Sequence, residues 1–385
     1  MTTVSWQEAN ARRLARHGLA RPFAVGTAMA SVAAATSGVH AQILSAAEIS
    51  AALRVEGATR ADVRQALWHD RSLVKTFGPR GTVHLLPATD LGRWMSALGS
   101  IPWRSQFPED VRLTAEQNDA VVAAIDVALR DSELTVDELT EAVGDLAGAW
   151  AAEPVMPAFQ TLWPRWRQIT DRAAYAGVLC YGPDRARKVT YTHPRRWSGD
   201  SSPVDAGDAV GWAIESYLRS YGPATPPSFA RWFGAPPAWA ADRMAAHPGL
   251  VRVALDGEPA FDLPDASYDA VSSRPVEGVR LLPYFDAYVV GSRPRSLLFP
   301  GRAAERALSP SGQAGNYPVL LVDGEVAGVW HQKRAGQRIA VTVEPLRRLS
   351  KARLVGIEEQ VTRLGEILEA EATLTIGEVT VGPHA

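Results

Sequence analysis

The stretch "SAAEISAALRVEGATRADVRQALWHDRSLVKTFGPRGTVHLLP", residues 45–87, changes its periodicity twice. "SAAEISAALR" has the pattern of a helix. "TRADVRQALWHD" reads as a second helix, with Thr59 placed to cap it because a threonine oxygen can accept a first-turn N–H. "SLVKTFGPRGTVHLLP" then alternates as two strands around the turn Gly78-Pro79-Arg80-Gly81. Helix, turn, helix and β-hairpin in this order describe a winged helix-turn-helix.

Working outward, the same order recurs. A second copy is expected over roughly residues 111–195, with a longer lead-in helix. In it "LTVDELTEAVGD" forms a helix capped by Thr135, and "FQTLWPRWRQITDRAAYAG" forms another that Pro164 must start or kink. "VLCYGPDRARKVTYTHP" is strand, turn and strand. A third copy begins near Asp208 and includes "TPPSFARWFG", where Thr225 followed by Pro226 marks a helix start. From about Leu263 strand-like runs dominate, including "VRLLPYFDAYVVG" and a hairpin turning at Asp323-Gly324, before a closing amphipathic helix in "SKARLVGIEEQVTRLGEILEA". The fold class read from this is α+β: three tandem winged helices over 1–95, 96–200 and 201–262, then a mixed β-rich domain over 263–385.

Composition narrows the classes. The chain has 385 residues, 46% hydrophobic and 21% charged, the balance of a globular protein, and "MTTVSWQEANARRLARHGL" reads as an amphipathic helix rather than a signal peptide. No membrane span is expected, and a cytoplasmic protein fits a chain whose single cysteine, Cys180, permits no intramolecular disulfide. The net charge of −2 neither favours nor excludes nucleic acid, because binding depends on local basic surface. Only four of the 40 basic residues are lysine.

No Gly-rich phosphate loop or dinucleotide fingerprint is present, so no cofactor is expected. The histidines do not fall at zinc-ligand spacing, so no metal is expected either, and Cys180 reads as core. Basic residues do gather in turns: Lys75 and Arg80; Arg185, Arg187 and Lys188; Arg293 and Arg295; Lys333 and Arg334. Such a bias on successive winged helices fits a phosphate-contacting face, and equally a solvated surface. The hairpin Val319–Trp330 is a candidate minor-groove probe. His40-Ala41-Gln42 stands just ahead of the first winged helix, and in an extended segment its two polar side chains point the same way. That suits a pair facing one small target, or a surface loop.

The order of three winged helices, "LLPYFDAYVVG" and "VDGEVAGVWHQKR" followed by "VTVEPLRRL" resemble the AlkZ-like DNA glycosylases over essentially the whole chain. The resemblance implies a catalytic pair at His40 and Gln42. Gln42 matches the family's second position, and His40 departs from the glutamine usual at the first. That variant resembles the branch associated with bulky DNA-alkylating antibiotics of the trioxacarcin type, where the enzyme confers self-resistance. It implies a monofunctional glycosylase acting as a monomer on double-stranded DNA that carries alkylated guanine. An ordinary histidine at position 40 would titrate near pH 6–7 and give base release an acid limb there. The competing reading from the repeats alone is a non-enzymatic winged-helix regulator.

Overall fold

Thr59, Thr135 and Thr225 each open a helix. Thr59 Oγ1 accepts from the Ala61 amide while Asp62 returns a bond to the Thr59 amide at 2.7 Å. Thr135 and Glu138 form the same reciprocal box, and Thr225 Oγ1 accepts from Ser228 with Pro226 behind it. Each satisfies amides that a helix start leaves unpaired. The structure, a computed structural model, describes residues 2–102, 105, 107–158, 161–198, 203–264 and 276–383.

The fold is mixed α/β. The first helix pair, Leu44–Ala52 and Arg60–Arg64 running on into the wide turn Gln65–His69, leads to the strands Leu73–Phe77 and Val83–Pro87. The two-residue strand Val39–His40 joins them as the third strand of a small sheet, on the free side of Val83–Pro87. The helices Ala115–Leu129 and Val136–Ala147 flank the strand Glu133–Thr135, which forms a second small sheet with Thr190–Thr192 and Cys180–Tyr181. The helices Ala206–Tyr221, Pro226–Phe233 and Pro237–Ala246 precede a third, in which Val251–Leu255 and Glu258–Asp262 take up Thr2–Val4 as a parallel edge. The C-terminal sheet has five strands in the order Val279–Leu282, Val319–Val322, Glu325–Ala335, Arg338–Pro345 and Glu371–Ile376, with the helix Lys351–Leu368 packed on it.

One buried cluster runs through the first two units and the C-terminal sheet, from Val39 and Leu85 through Trp166 to Trp330. The third unit packs an aromatic core of Tyr217, Phe229 and Trp232 against Leu86 and Trp94 of the first. The N-terminal helix Trp6–Arg16 ties it to the C-terminal sheet. Arg12 pairs with Asp262 at 2.5 Å, Arg13 donates to the carbonyls of Pro223 and Arg293, and Asn10 donates to the carbonyl of Gly324. Its charges are therefore not all on a solvated face, and a strand precedes it.

Three local readings change. The stretch Phe159–Gly177 is expected to be helical; Phe159 and Gln160 lie outside the described residues, Thr161–Pro164 pairs with Pro154–Ala158 as strands, and helical structure begins at Arg165. Pro157 and Pro164 bias the residues before them to extended backbone, which is the physical reason. "VRLLPYFDAYVVG" is strand only to Leu282, and Asp286 caps a short helix Ala287–Gly291. Asp323 and Gly324 do form the hairpin turn, both at positive φ, yet that tip is docked on Asn10 and is not a free probe. The free tip belongs instead to the longer hairpin Glu325–Pro345, whose residues Lys333–Arg338 are exposed. The boundary expected between residues 200 and 201 lies outside the described residues.

Candidate active site

Gly38 lets the chain enter the first small sheet: its φ is +98°, and a Cβ there would meet Leu86 at 2.9 Å. The strand Val39–His40 then pairs antiparallel with Val83–Pro87, placing His40 directly opposite His84. Directly opposed residues share a face, and the two rings meet edge to face with centroids 5.0 Å apart. Phe285 stacks on the other side of His40 at 4.8 Å and 26°. His40 is consequently buried, and Nδ1 of its ring has no hydrogen-bond partner among the described residues.

Gln42 lies one step beyond the strand and is exposed. Its Oε1 accepts from the Val83 amide at 3.4 Å, which orients the carboxamide and leaves a second lone pair for water. His40 and Gln42 thus both lie along Val83–Pro87, one sealed and one open. On the Gln42 side a cavity of about 190 Å³ is walled by Ile43, Tyr284, Trp330 and Gln332.

Burial, and then the nearby Arg80 guanidinium, push the His40 imidazole down to about 3. His84 is likewise held well below the ordinary histidine range, first by burial, then by His40 and Arg80. The Nδ1–H of His84 donates to the Thr82 carbonyl at 2.8 Å, so its lone pair is on Nε2. The expectation that His40 titrates near pH 6–7 is therefore corrected: in the free chain the ring is neutral throughout that range.

Phe285, with φ at +55°, is held in a conformation uncommon for a bulky residue. Its neighbour Asp286 is gripped by Arg54 through two bonds of 2.8 Å and by the Ser50 hydroxyl at 2.7 Å. Burial alone would raise the Asp286 carboxyl; Arg54 and Ser50 reverse this and hold it below the usual range. Ser50 belongs to, and Arg54 follows, the helix that starts just after Gln42, so the clamp fixes Phe285 relative to the pair. Nothing within "LLPYFDAYVVG" itself signals this role, which depends on Arg54 and Ser50 from the first unit. Nor does the sequence mark His84 as the partner of His40, because only the strand pairing brings them together.

The nine basic residues expected on a DNA face divide. Lys75 is buried with its ammonium 4.6 Å above the Tyr181 ring, because its strand is covered by the second unit. Arg185 pairs with Glu138 and Lys188 with Asp137, both on the surface, while Arg187 is exposed beside them. Lys333 is exposed on the free hairpin, and Arg334 donates to the carbonyls of Gly336 and Leu368. Arg80, Arg293 and Arg295 come together on one cavity with Arg231, which was not among the nine. A single uniform stripe is not what these positions form. Cys180 is buried, and its thiol is pushed up by that burial. Among the described residues no three His, Cys, Asp or Glu side chains converge as a metal ligand set, and no helix is long and apolar enough to cross a membrane.

Comparison with known proteins finds the same architecture elsewhere. The sequence model of the family described as "DNA glycosylase AlkZ-like" matches residues 33–367. An interstrand DNA cross-link repair glycosylase of Streptomyces sahachiroi is 31% identical over 364 residues, spanning 89% of this chain and 91% of that protein. The solved structure of Streptomyces sahachiroi DNA glycosylase AlkZ superposes with a TM-score of 0.81 at 26% identity, over 98% of this chain and 100% of that one.

Proposed function

Because the chain belongs to the AlkZ-like DNA glycosylase family and is an enzyme acting on DNA, we propose that it hydrolyses the N-glycosidic bond of bulky N7-alkylguanine adducts. It would do so as a cytoplasmic monomer on double-stranded DNA, in repair or in self-resistance to an alkylating antibiotic, with His40 and Gln42 as its catalytic pair. The three helix–helix–hairpin units are read as winged helices that hold the duplex, with Arg187 and Lys333 the most available of the expected phosphate contacts.

The chemistry asks little of the protein. Alkylation at N7 makes guanine cationic, so the base leaves without an acid. What remains is to hold a water near C1′ and to tolerate positive charge growing on the sugar. Gln42 accepts a hydrogen bond from that water through the free lone pair of Oε1, the amide being braced by Val83. A neutral His40 adds a polar ring without setting a second cation beside an oxocarbenium-like transition state. The observation that carries this reading is the burial of His40 between His84 and Phe285, which keeps it uncharged. The segment Ser37–Ser50 contains no lysine, so a Schiff-base lyase step has no nucleophile there. N7 faces the major groove, leaving the sugar approachable from the other side, so a bulky adduct need not enter the protein.

The test is single-turnover base release from a duplex bearing a defined N7-alkylguanine. Gln42→Ala should lower that rate about 10²-fold or more, the usual scale for a positioned group, with folding and DNA binding nearly unchanged. Undiminished release by a folded Gln42→Ala protein would sink the assignment.

A further inference from the structure

Four arginines, Arg80, Arg231, Arg293 and Arg295, border one cavity of about 300 Å³ together with Ser311 and Gln313, and among the described residues no carboxylate lines it. Several buried arginines elsewhere in this chain pair with acids, as in Arg12–Asp262, Arg54–Asp286 and the less buried Arg306–Glu344, while Arg13 is held by the carbonyls of Pro223 and Arg293. Here the charged neighbours of Arg295 are Arg293, Arg80 and Arg231, and Arg293 in turn faces Arg231. Among the described residues none of the four has an acidic partner. Like charges brought together in a recess raise the free energy of the empty protein and await an anion.

Two of the four are fixed by backbone oxygens. Arg295 donates to the carbonyls of Val289, Val290 and Ser292. Arg80 donates to the Trp232 carbonyl at 2.6 Å, at the C-terminal end of the helix Pro226–Phe233, where a cation is favoured. The turn that carries Arg80 sits hard against Gly234, where a Cβ would meet the Arg80 Cα at 2.8 Å. Arg231 is exposed and Arg293 half-buried, and both border the cavity. The result is four guanidinium groups on one recess, two of them anchored, with planar forks suited to phosphate oxygens.

The cavity adjoins the candidate active site through shared segments. Arg80 lies on the turn between Leu73–Phe77 and the strand that bears His84. Ala314, on the cavity wall, precedes Gly315, whose carbonyl accepts from the amide of Phe285, the residue stacked on His40.

We propose that this cavity receives a single backbone phosphate of the DNA, one adjoining the nucleotide whose glycosidic bond faces His40 and Gln42. This rests on the reading of that pair given above. Its work is registration: one phosphate seated in a rigid cup fixes where C1′ stands relative to the bound water.

The experiment measures equilibrium binding of the full-length protein to a duplex with a stable tetrahydrofuran abasic site. Phosphates around the site are replaced one at a time by uncharged methylphosphonate. For the wild type, one position next to the site should weaken binding about tenfold, while the others matter less. Arg231→Gln/Arg293→Gln should weaken binding to the unmodified duplex similarly and reduce the slope of log affinity against log salt by about 1, one phosphate's worth. It should also no longer sense that methylphosphonate. Its melting temperature should be equal or higher, since repulsion has been relieved; a structural role predicts a fall. A loss spread evenly over all positions, or a variant as sensitive as wild type to the same methylphosphonate, would overturn the proposal. So would inorganic phosphate that binds the cavity without competing with DNA, which would mark a free-anion site. The assay needs no chemistry: a protein that binds as described but releases no base refutes the hydrolysis reading and spares the phosphate site.

Discussion

Asp286→Ala is expected to cost about 3–5 kcal/mol of folding stability, read as a shift of the urea midpoint, because it strands a buried guanidinium. Arg54 and Asp286 are both fully buried, and their two bonds of 2.8 Å satisfy the faces they turn to each other. Removing the carboxylate leaves Arg54 charged in a place where water cannot replace it. The same change deletes the cap of the helix Ala287–Gly291, where Asp286 Oδ1 accepts from the Tyr288 amide at 3.0 Å. Replacing both partners by apolar residues, as in Arg54→Met/Asp286→Leu, should recover most of the loss, since neither charge is then buried alone. A single variant that costs less than about 1 kcal/mol would mean that solvent reaches the pair and that the clamp is not one. The double variant separates stability from positioning. Phe285 would stay half-buried beside His40 but lose the neighbour that holds its backbone at a φ of +55°. Base release should therefore remain reduced, by about tenfold or more, in a protein whose midpoint has been restored. Release at the wild-type rate would show that the stack on His40 needs no brace.

Local signals made the helix starts legible. A threonine followed three residues on by an acid states its own structure, and so does Asp323-Gly324, because capping and turn geometry are settled within four residues. The pair His40 and Gln42 was legible only through resemblance, since nothing in "HAQ" itself distinguishes a site from a loop. What surrounds the pair was not legible. His84 reaches His40 through a strand register between residues 44 apart in sequence, and Phe285 comes from the connection after the strand Val279–Leu282. Nothing in the sequence singles out Arg231; it stands beside Arg80, Arg293 and Arg295 only because the turn that carries Arg80 packs on Gly234, at the end of its helix. Charge followed the same rule. Lys75 sits in a basic turn by sequence, and over an aromatic ring by packing. Burial decides what an ionisable group does, and burial is a property of the assembled layers.

That dependence has its largest consequence in acid. Folding stability should fall steeply as pH drops from about 6.5 toward 4, driven by three histidines rather than by carboxylates. Burial pushes His17 and His40 down to about 3 and holds His84 well below its ordinary value. In the unfolded chain all three take up protons near pH 6.5, while the folded chain refuses them. A depressed histidine therefore contributes stability that is fully present above the unfolded value and is lost as pH falls toward the folded one. Each costs about 1.4 kcal/mol for every pH unit in that window, so together they remove roughly 4 kcal/mol per unit. Urea midpoints at pH 7, 6 and 5 measure the slope before most carboxylates begin to titrate. His17→Gln and His84→Gln should each reduce it by about one proton's share, at some cost in packing at pH 7. A slope that neither variant changes would mean that the rings are already protonated in the folded state. Catalysis should behave in the opposite way over the part of this range where the protein stays folded. With His40 neutral in both states of the reaction, base release from fully bound duplex should be flat between about pH 5.5 and 8, and His40→Gln should share that flat profile at a lower rate. An acid limb near pH 6–7 in the wild type that His40→Gln abolishes would show that bound DNA returns the imidazole to its ordinary range, and that the histidine works by titrating after all.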